Sequence, residues 1–129
     1  MDAPRFFHPT PAGYSHAVRI PAGRDVVWTS GQVGLTEDGV APRTMEAQAR
    51  LAFESVGRAL EAAGASWHDV VKLTFFVTST AEIEVVRRVR DEFVDTIAPP
   101  TSSLVVVAGL FRPDLFIEVE AFAAPSRTS

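Results

Sequence analysis

The sequence predicts an α+β domain of order β-β-α-β-α-β-β, with both helices packed on one face of a mixed sheet. Three stretches carry that prediction. Met45, Ala49, Ala52, Phe53, Val56, Leu60 and Ala63 recur at helical spacing. Val70 to Thr78 alternates, with Val71, Leu73, Phe75 and Val77 on one side and Val70, Lys72, Thr74 and Phe76 on the other. Leu104 to Leu110 is an almost unbroken apolar run. After Phe111-Arg112-Pro113-Asp114, the segment Phe116 to Phe122 alternates apolar residues with Glu118 and Glu120. These last two segments read as a hairpin, a strand buried on both faces beside one with a carboxylate-bearing face.

The elements follow from local signals. Residues 1–13, with three prolines, read as a loop holding at most a short extended piece. Tyr14 to Ile20 and Val26 to Ser30 read as strands joined by Pro21-Ala22-Gly23-Arg24. Glu37-Asp38-Gly39 is a turn. Thr44 is placed to cap the first helix, and Gly64 to end it. Ser79 with Glu82 has the spacing of a capping box. Ile83, Val86, Arg90, Phe93 and Ile97 then trace the stripe of a second helix, the Arg90 stem covering its edge. Pro99 and Pro100 stop it. Residues 125–129 read as a frayed tail.

Composition sets the outer bounds. With 129 residues, 47% hydrophobic and 22% charged, the chain is expected to form one soluble domain spanning 1–129. No apolar stretch approaches the roughly 20 residues of a membrane span, and the N-terminus lacks a signal pattern. The absence of cysteine removes disulfides, thiolate metal sites and a cysteine nucleophile. A cytoplasmic location fits. A net charge of −4 argues against a nucleic-acid partner, and Arg87, Arg88 and Arg90 read as a solvated helix face.

Helices on one sheet face leave the other bare. That face would include part of Leu104 to Val107, with Val70 or Phe76. A patch of that size predicts a closed homo-oligomer.

Candidate chemistry is sparse. His8, His16 and His68 follow no ligand spacing. His16 follows Tyr14 at period two on one strand, so both can face the same way. Gly31-Gln32-Val33-Gly34 after Ser30 is either a strand bulge or a set of bare amides for a carboxylate or carbonyl. Glu118 and Glu120 share a strand face, as a solvated pair or as general acid-base groups. Ser102 and Ser103 open the apolar run with no histidine or aspartate in an obvious relation to them.

Taken in order, Gly13-Tyr14-Ser15-His16-Ala17, Thr29-Ser30-Gly31-Gln32-Val33-Gly34, Pro99-Pro100-Thr101-Ser102-Ser103, Val107-Ala108-Gly109-Leu110 and Ile117-Glu118-Val119-Glu120-Ala121 resemble the RidA family, also called YjgF-like or endoribonuclease L-PSP-like. The resemblance spans roughly Pro9 to Ala123. It implies a chorismate-mutase-like fold, a homotrimer with a central barrel, and substrate clefts between subunits. It further implies hydrolysis of reactive enamines and imines to 2-keto acids and ammonia, with no metal or organic cofactor. Carried over residue by residue, it implies Tyr14, Ser30, Gly31 and Ser102 near a small-molecule metabolite and Glu118 positioning the attacking water. Ser102 departs from the pattern, standing where the deaminase type carries the arginine that grips the substrate carboxylate. The chain thus resembles a branch lacking that arginine. Arg112, in the turn beyond the strand, is not expected to replace it.

Three functions follow in order of support: a hydrolase of a C=N bond, a trimeric protein that binds a small molecule without turnover, and a ribonuclease. The acidic balance and the lack of a histidine pair count against the third.

Overall fold

Thr44 caps the long helix as its position predicts. Its backbone is extended, and its Oγ1 accepts from the Ala47 amide at 3.2 Å, opening α1 (Met45–Ala62). At the other end Gly64 is left-handed, with φ +83°. The Gly64 and Ala65 amides return to the Glu61 and Leu60 carbonyls and close the last turn. Met45, Ala49, Ala52, Phe53, Val56 and Leu60 are buried along the expected stripe. One polar residue shares it. Gln48 is fully buried; its Nε2 donates to the Pro42 and Asp114 carbonyls, each at 2.8 Å, and its Oε1 accepts from the Phe116 amide at 2.8 Å.

The structure, a computed structural model, describes residues 2–127. Its strands are β1 (Arg5–Pro9), β2 (Ser15–Arg19), β3 (Val27–Trp28), β4 (Gln32–Val33), β5 (Val70–Val77), β6 (Thr101–Val106) and β7 (Ile117–Ala123). They form one mixed sheet of order β1-β2-β6-β5-β7-β3, with β4 also paired to β7. Helix α2 (Ile83–Arg90) carries the chain from β5 to β6, which pair in parallel. The α+β class, the mixed sheet and the two helices are as the sequence predicts. Among the described residues no helix is long and apolar enough to cross a membrane.

Two pairings differ from expectation. The apolar run and the Glu-bearing strand do not form a hairpin: β5 lies between them, parallel to β6 and antiparallel to β7. A helical crossover seats β6 beside β5, and the turn through Pro113 then carries the chain across to the other edge of β5. At the N-terminal end, β2 pairs not with β3 but with β1, drawn from the segment read as a loop. β3 lies at the opposite margin of the sheet, against β7. In the segment read as a tail, Ser126 bridges to Arg24, while Thr128 and Ser129 lie outside the described residues.

The second helix is shorter than its periodicity. It ends at Arg90, and Ile97 is 86% exposed. The Ile97 and Ala98 amides donate to Asp95 Oδ1 at 2.7 and 3.0 Å, so a side-chain turn replaces the last helical turns. Nor does the capping box form. Glu82 is the N-cap without a side-chain bond, and Ser79 Oγ accepts from the Ala81 amide instead.

The helices cover one sheet face. Leu73, Phe75 and Val77 of β5 and Ile117, Val119 and Ala121 of β7 join Phe53, Val56, Val86 and Val89 in a single core. Val70 joins this core too, because the β5–β7 register slips between Val70 and Lys72. Lys72, Thr74, Phe76, Glu118, Glu120 and Phe122 lie on the other face and are half-buried. The run expected to be buried on both faces is open within one chain: Leu104, Val105 and Val106 are 42%, 40% and 57% exposed. β2 meets β6 only at Ser15–Thr101, so the outer edge of β6 beyond Thr101 is unpaired among the described residues.

Candidate functional site

β3 and β4 run along the same edge of β7, but their registers differ by one residue. Trp28 stands opposite Phe122 and Gln32 opposite Val119, so Ser30 and Gly31 together face Glu120. This is a bulge. Buried Thr29 pins it: its amide donates to the Ala121 carbonyl at 2.9 Å and its Oγ1 accepts from the Ala121 amide at 3.1 Å. The bulge turns the Gly31 backbone toward Glu118. A Cβ built on Gly31 would lie 2.0 Å from Glu118 Oε2 and 2.6 Å from its Cδ. Any residue larger than glycine would therefore displace the carboxylate. Of the two readings of this segment, the bulge is what the register shows.

The two glutamates differ in engagement. Glu120 Oε2 accepts from Trp28 Nε1 at 2.9 Å. The Glu118 carboxylate accepts no hydrogen bond among the described residues, and the exposed Gly31 amide donates none. Ser30, Gly31 and Glu118 thus form one polar group on the face away from the helices, with a free acceptor and a free donor.

Tyr14 and Ser102 lie elsewhere. Ser102 stands opposite Leu73 and Glu118 opposite Phe76, an odd separation along β5, so the two side chains leave opposite faces of the sheet. Ser102 and Tyr14 line a cavity of about 270 Å³ between α2, the start of β2 and β6, together with Ser103, Leu104, Arg87 and Arg90. The Tyr14 and His16 rings stack with centroids 5.9 Å apart and planes 12° off parallel, as period two predicts. His8 meets His16 edge-on at 6.1 Å. Arg112 is committed elsewhere: it grips both Asp114 oxygens, at 3.1 and 2.7 Å, and the Gly39 carbonyl at 2.8 Å. That grip holds the Asp114 carboxyl below the usual carboxylate range. Among the described residues no group of three or more His, Asp or Glu side chains is placed to hold a metal ion.

One chain therefore carries the candidate residues in two groups on opposite sheet faces. Sequence reasoning named residues of both but missed Arg87 and Arg90 as part of the Tyr14–Ser102 cavity. Cations three apart on an amphipathic helix look like a solvated face, and only the crossover packing of α2 over β6 reveals their neighbours.

A family model described as Endoribonuclease L-PSP matches residues 8–125. The chain belongs to the endoribonuclease L-PSP family. Solved structures similar to it carry the Rid and YjgF family names, in line with the resemblance of the ordered motifs. TdcF of Escherichia coli strain K12 is 36% identical over 104 residues, 78% of this chain and 80% of TdcF. The crystal structure of Escherichia coli TdcF with bound serine is similar at a TM-score of 0.72, with 32% identity over 91% of this chain and 97% of that one. The 2-iminobutanoate/2-iminopropanoate deaminase of Escherichia coli strain K12 is 34% identical over 102 residues, 77% of this chain and 79% of its own. The solved structure of YyfB, a Yersinia pestis member of the conserved Rid family, has a TM-score of 0.79 and 29% identity over 95% of this chain and 99% of that chain.

Proposed function

We propose that this L-PSP family member is a hydrolase of a C=N bond in a small metabolite, acting in clefts between the subunits of a homotrimer. The observation that carries the reading is the division of the site. Gly31 and Glu118 stand on one sheet face and Tyr14 and Ser102 on the other, with the exposed apolar edge of β6 between the helix-side cavity and solvent. A second copy that covers Leu104, Val105 and Val106 would bring the Tyr14–Ser102 half of one subunit against the Gly31–Glu118 half of its neighbour. The deaminase name of a relative at 34% identity supports the reaction type.

The chemistry needs little from the protein. The free Glu118 carboxylate accepts a proton from water as the water oxygen attacks the imine carbon. A C–O bond forms, the C=N π pair moves to nitrogen, and nitrogen takes up a proton. Collapse of the carbinolamine passes its hydroxyl proton to nitrogen and breaks the C–N bond, releasing ammonia and leaving a carbonyl. The free Gly31 amide donates to a substrate oxygen, and the Ser102 hydroxyl orients the other end of the molecule.

Assay of the purified protein on freshly generated imines tests the reading. Ammonia release should exceed the spontaneous rate and fall by about two to four orders of magnitude in Glu118→Ala. Unchanged turnover in that variant removes Glu118 from the mechanism. Ligand binding without any turnover would favour a purely binding role.

A further inference from the structure

A second cavity, of about 230 Å³, lies apart from the candidate residues. It is enclosed by the start of β1, the 3₁₀ turn Trp67–Asp69 ahead of β5, and the loop from α2 to β6. It shares no lining residue with the Tyr14–Ser102 cavity, and neither Gly31 nor Glu118 lines it. Phe6, Trp67 and Val71 give it an apolar wall. The charged side chains Arg24, Asp69 and Asp95 line the rest, with His68 beside them.

These charges are held in place but not neutralised. Arg24 Nε donates to the Asp2 carbonyl and its Nη1 to the Ala124 carbonyl, each at 3.0 Å. Its Nη2 has no acceptor among the described residues. Asp69 Oδ2 accepts from the Ser66 amide at 3.0 Å and from the Ser66 hydroxyl at 3.3 Å, while its Oδ1 accepts nothing among the described residues. Asp95 is similar: its Oδ1 accepts the Ile97 and Ala98 amides, and its Oδ2 is idle. Arg24, His68, Asp69 and Asp95 form no ion pair, with one another or with any other described residue. Charges of both signs thus share one small space without meeting. Arg24 and Asp69 are half-buried, so each gives up hydration that its backbone hydrogen bonds replace only in part.

We propose that this cavity is a binding site for a small zwitterionic amino acid with an apolar side chain, its carboxylate on Arg24, its ammonium on Asp69 and Asp95, and its side chain against Phe6, Trp67 and Val71. A ligand of one charge meets an opposite charge on one side of the space and a like charge on the other. A ligand that carries both is attracted at both ends and engages the idle Nη2 and the idle carboxylate oxygens together. The apolar wall takes a short hydrocarbon group. A space of about 230 Å³ falls below the span of drug-sized pockets, about 300–1,000 Å³, and so admits only a small molecule. The site is independent of imine hydrolysis, since none of the candidate residues for that reaction lines it.

Isothermal titration of the full-length protein with leucine, with isocaproate, which lacks the ammonium, and with isoamylamine, which lacks the carboxylate, tests the site. Leucine should bind, and each analogue should bind about ten- to a hundredfold more weakly. Asp69→Asn should weaken leucine by about tenfold or more without weakening isocaproate, because it removes a like charge from that acid's surroundings. A cavity that was merely damaged would lose both ligands, and thermal unfolding checks the fold. Arg24→Gln should show the mirror image, with leucine weakened and isoamylamine not. Ser102→Ala, in the other cavity, should leave leucine binding as it was. Absence of leucine binding, an analogue that binds as well as leucine, an unaffected Asp69→Asn protein, or loss of leucine binding in Ser102→Ala each overturns the site.

Discussion

Gly31→Ala separates the candidate site from the fold more cleanly than any other substitution. The added methyl would sit 2.0 Å from Glu118 Oε2 and 2.8 Å from its Cγ, and contacts under 3.0 Å are essentially never populated by real Cβ atoms. The carboxylate must therefore retreat by about 1 Å. The atoms that yield belong to the flexible end of one half-buried side chain, so little stability is lost. Replacing glycine also narrows the unfolded ensemble by about 0.4–1 kcal/mol in favour of folding. A misplacement of about 1 Å at a reacting centre costs on the order of a hundredfold in rate, or about 2.7 kcal/mol of transition-state stabilisation. The expected outcome is a melting temperature within a few degrees of the parent and a kcat/KM for imine hydrolysis down by about two orders of magnitude. Gly109→Ala is the matched control, since nothing lies within 4 Å of a Cβ there. A Gly31→Ala protein with full kcat/KM would refute the claim that Glu118 acts from its position over residue 31.

Gln48→Leu should destabilise the protein by about 2–5 kcal/mol in urea unfolding, because the Pro42 and Asp114 carbonyls and the Phe116 amide lose their shared partner. Val106→Asp places a charge on an apolar edge that is 57% exposed in the single chain, and sedimentation should show the proposed trimer shifting to monomers. The Ala98 and Ile97 amides hold the Asp95 carboxyl below its ordinary value of 3.8. A depressed carboxylate contributes stability that is present above the unfolded value and lost as pH falls through the folded one. Asp95→Asn should therefore melt below the parent at neutral pH, with the gap closing as both are acidified from about pH 4 downward. An equal gap at pH 2 and pH 7 would mean that the turn does not depend on the charge.

The long helix and β5 were legible because each element's burial follows its own period. Met45 to Leu60 and Val71 to Val77 lie where 3.6 and 2 place them. Partner choice was not legible. Nothing in Leu104 to Leu110 says that β5 will intervene before β7, since crossover packing, rather than either strand's pattern, decides that order. α2 misled because Phe93 and Val94 still pack, and their amides still bond back to Arg90, after the regular helix ends. Gln48 escaped because a polar residue beside an apolar stripe looks solvated until its three backbone partners are known. In the site, the glycine after Ser30 was readable as a bulge, but its neighbour Glu118 lies far along the chain and needed the β4–β7 register.

If the proposed homotrimer forms, the bare margin of β6 also bears on the protein's life before assembly. A newly made subunit presents an unpaired strand rich in valine, a template for any extended chain that reaches it first. In that proposed assembly, encounter with a sister copy would compete with encounter with strangers, so subunit concentration would govern the yield of usable molecules. Slow production in a dilute cell would then be more hazardous than a burst, and closely related paralogues made together could form mixed rings.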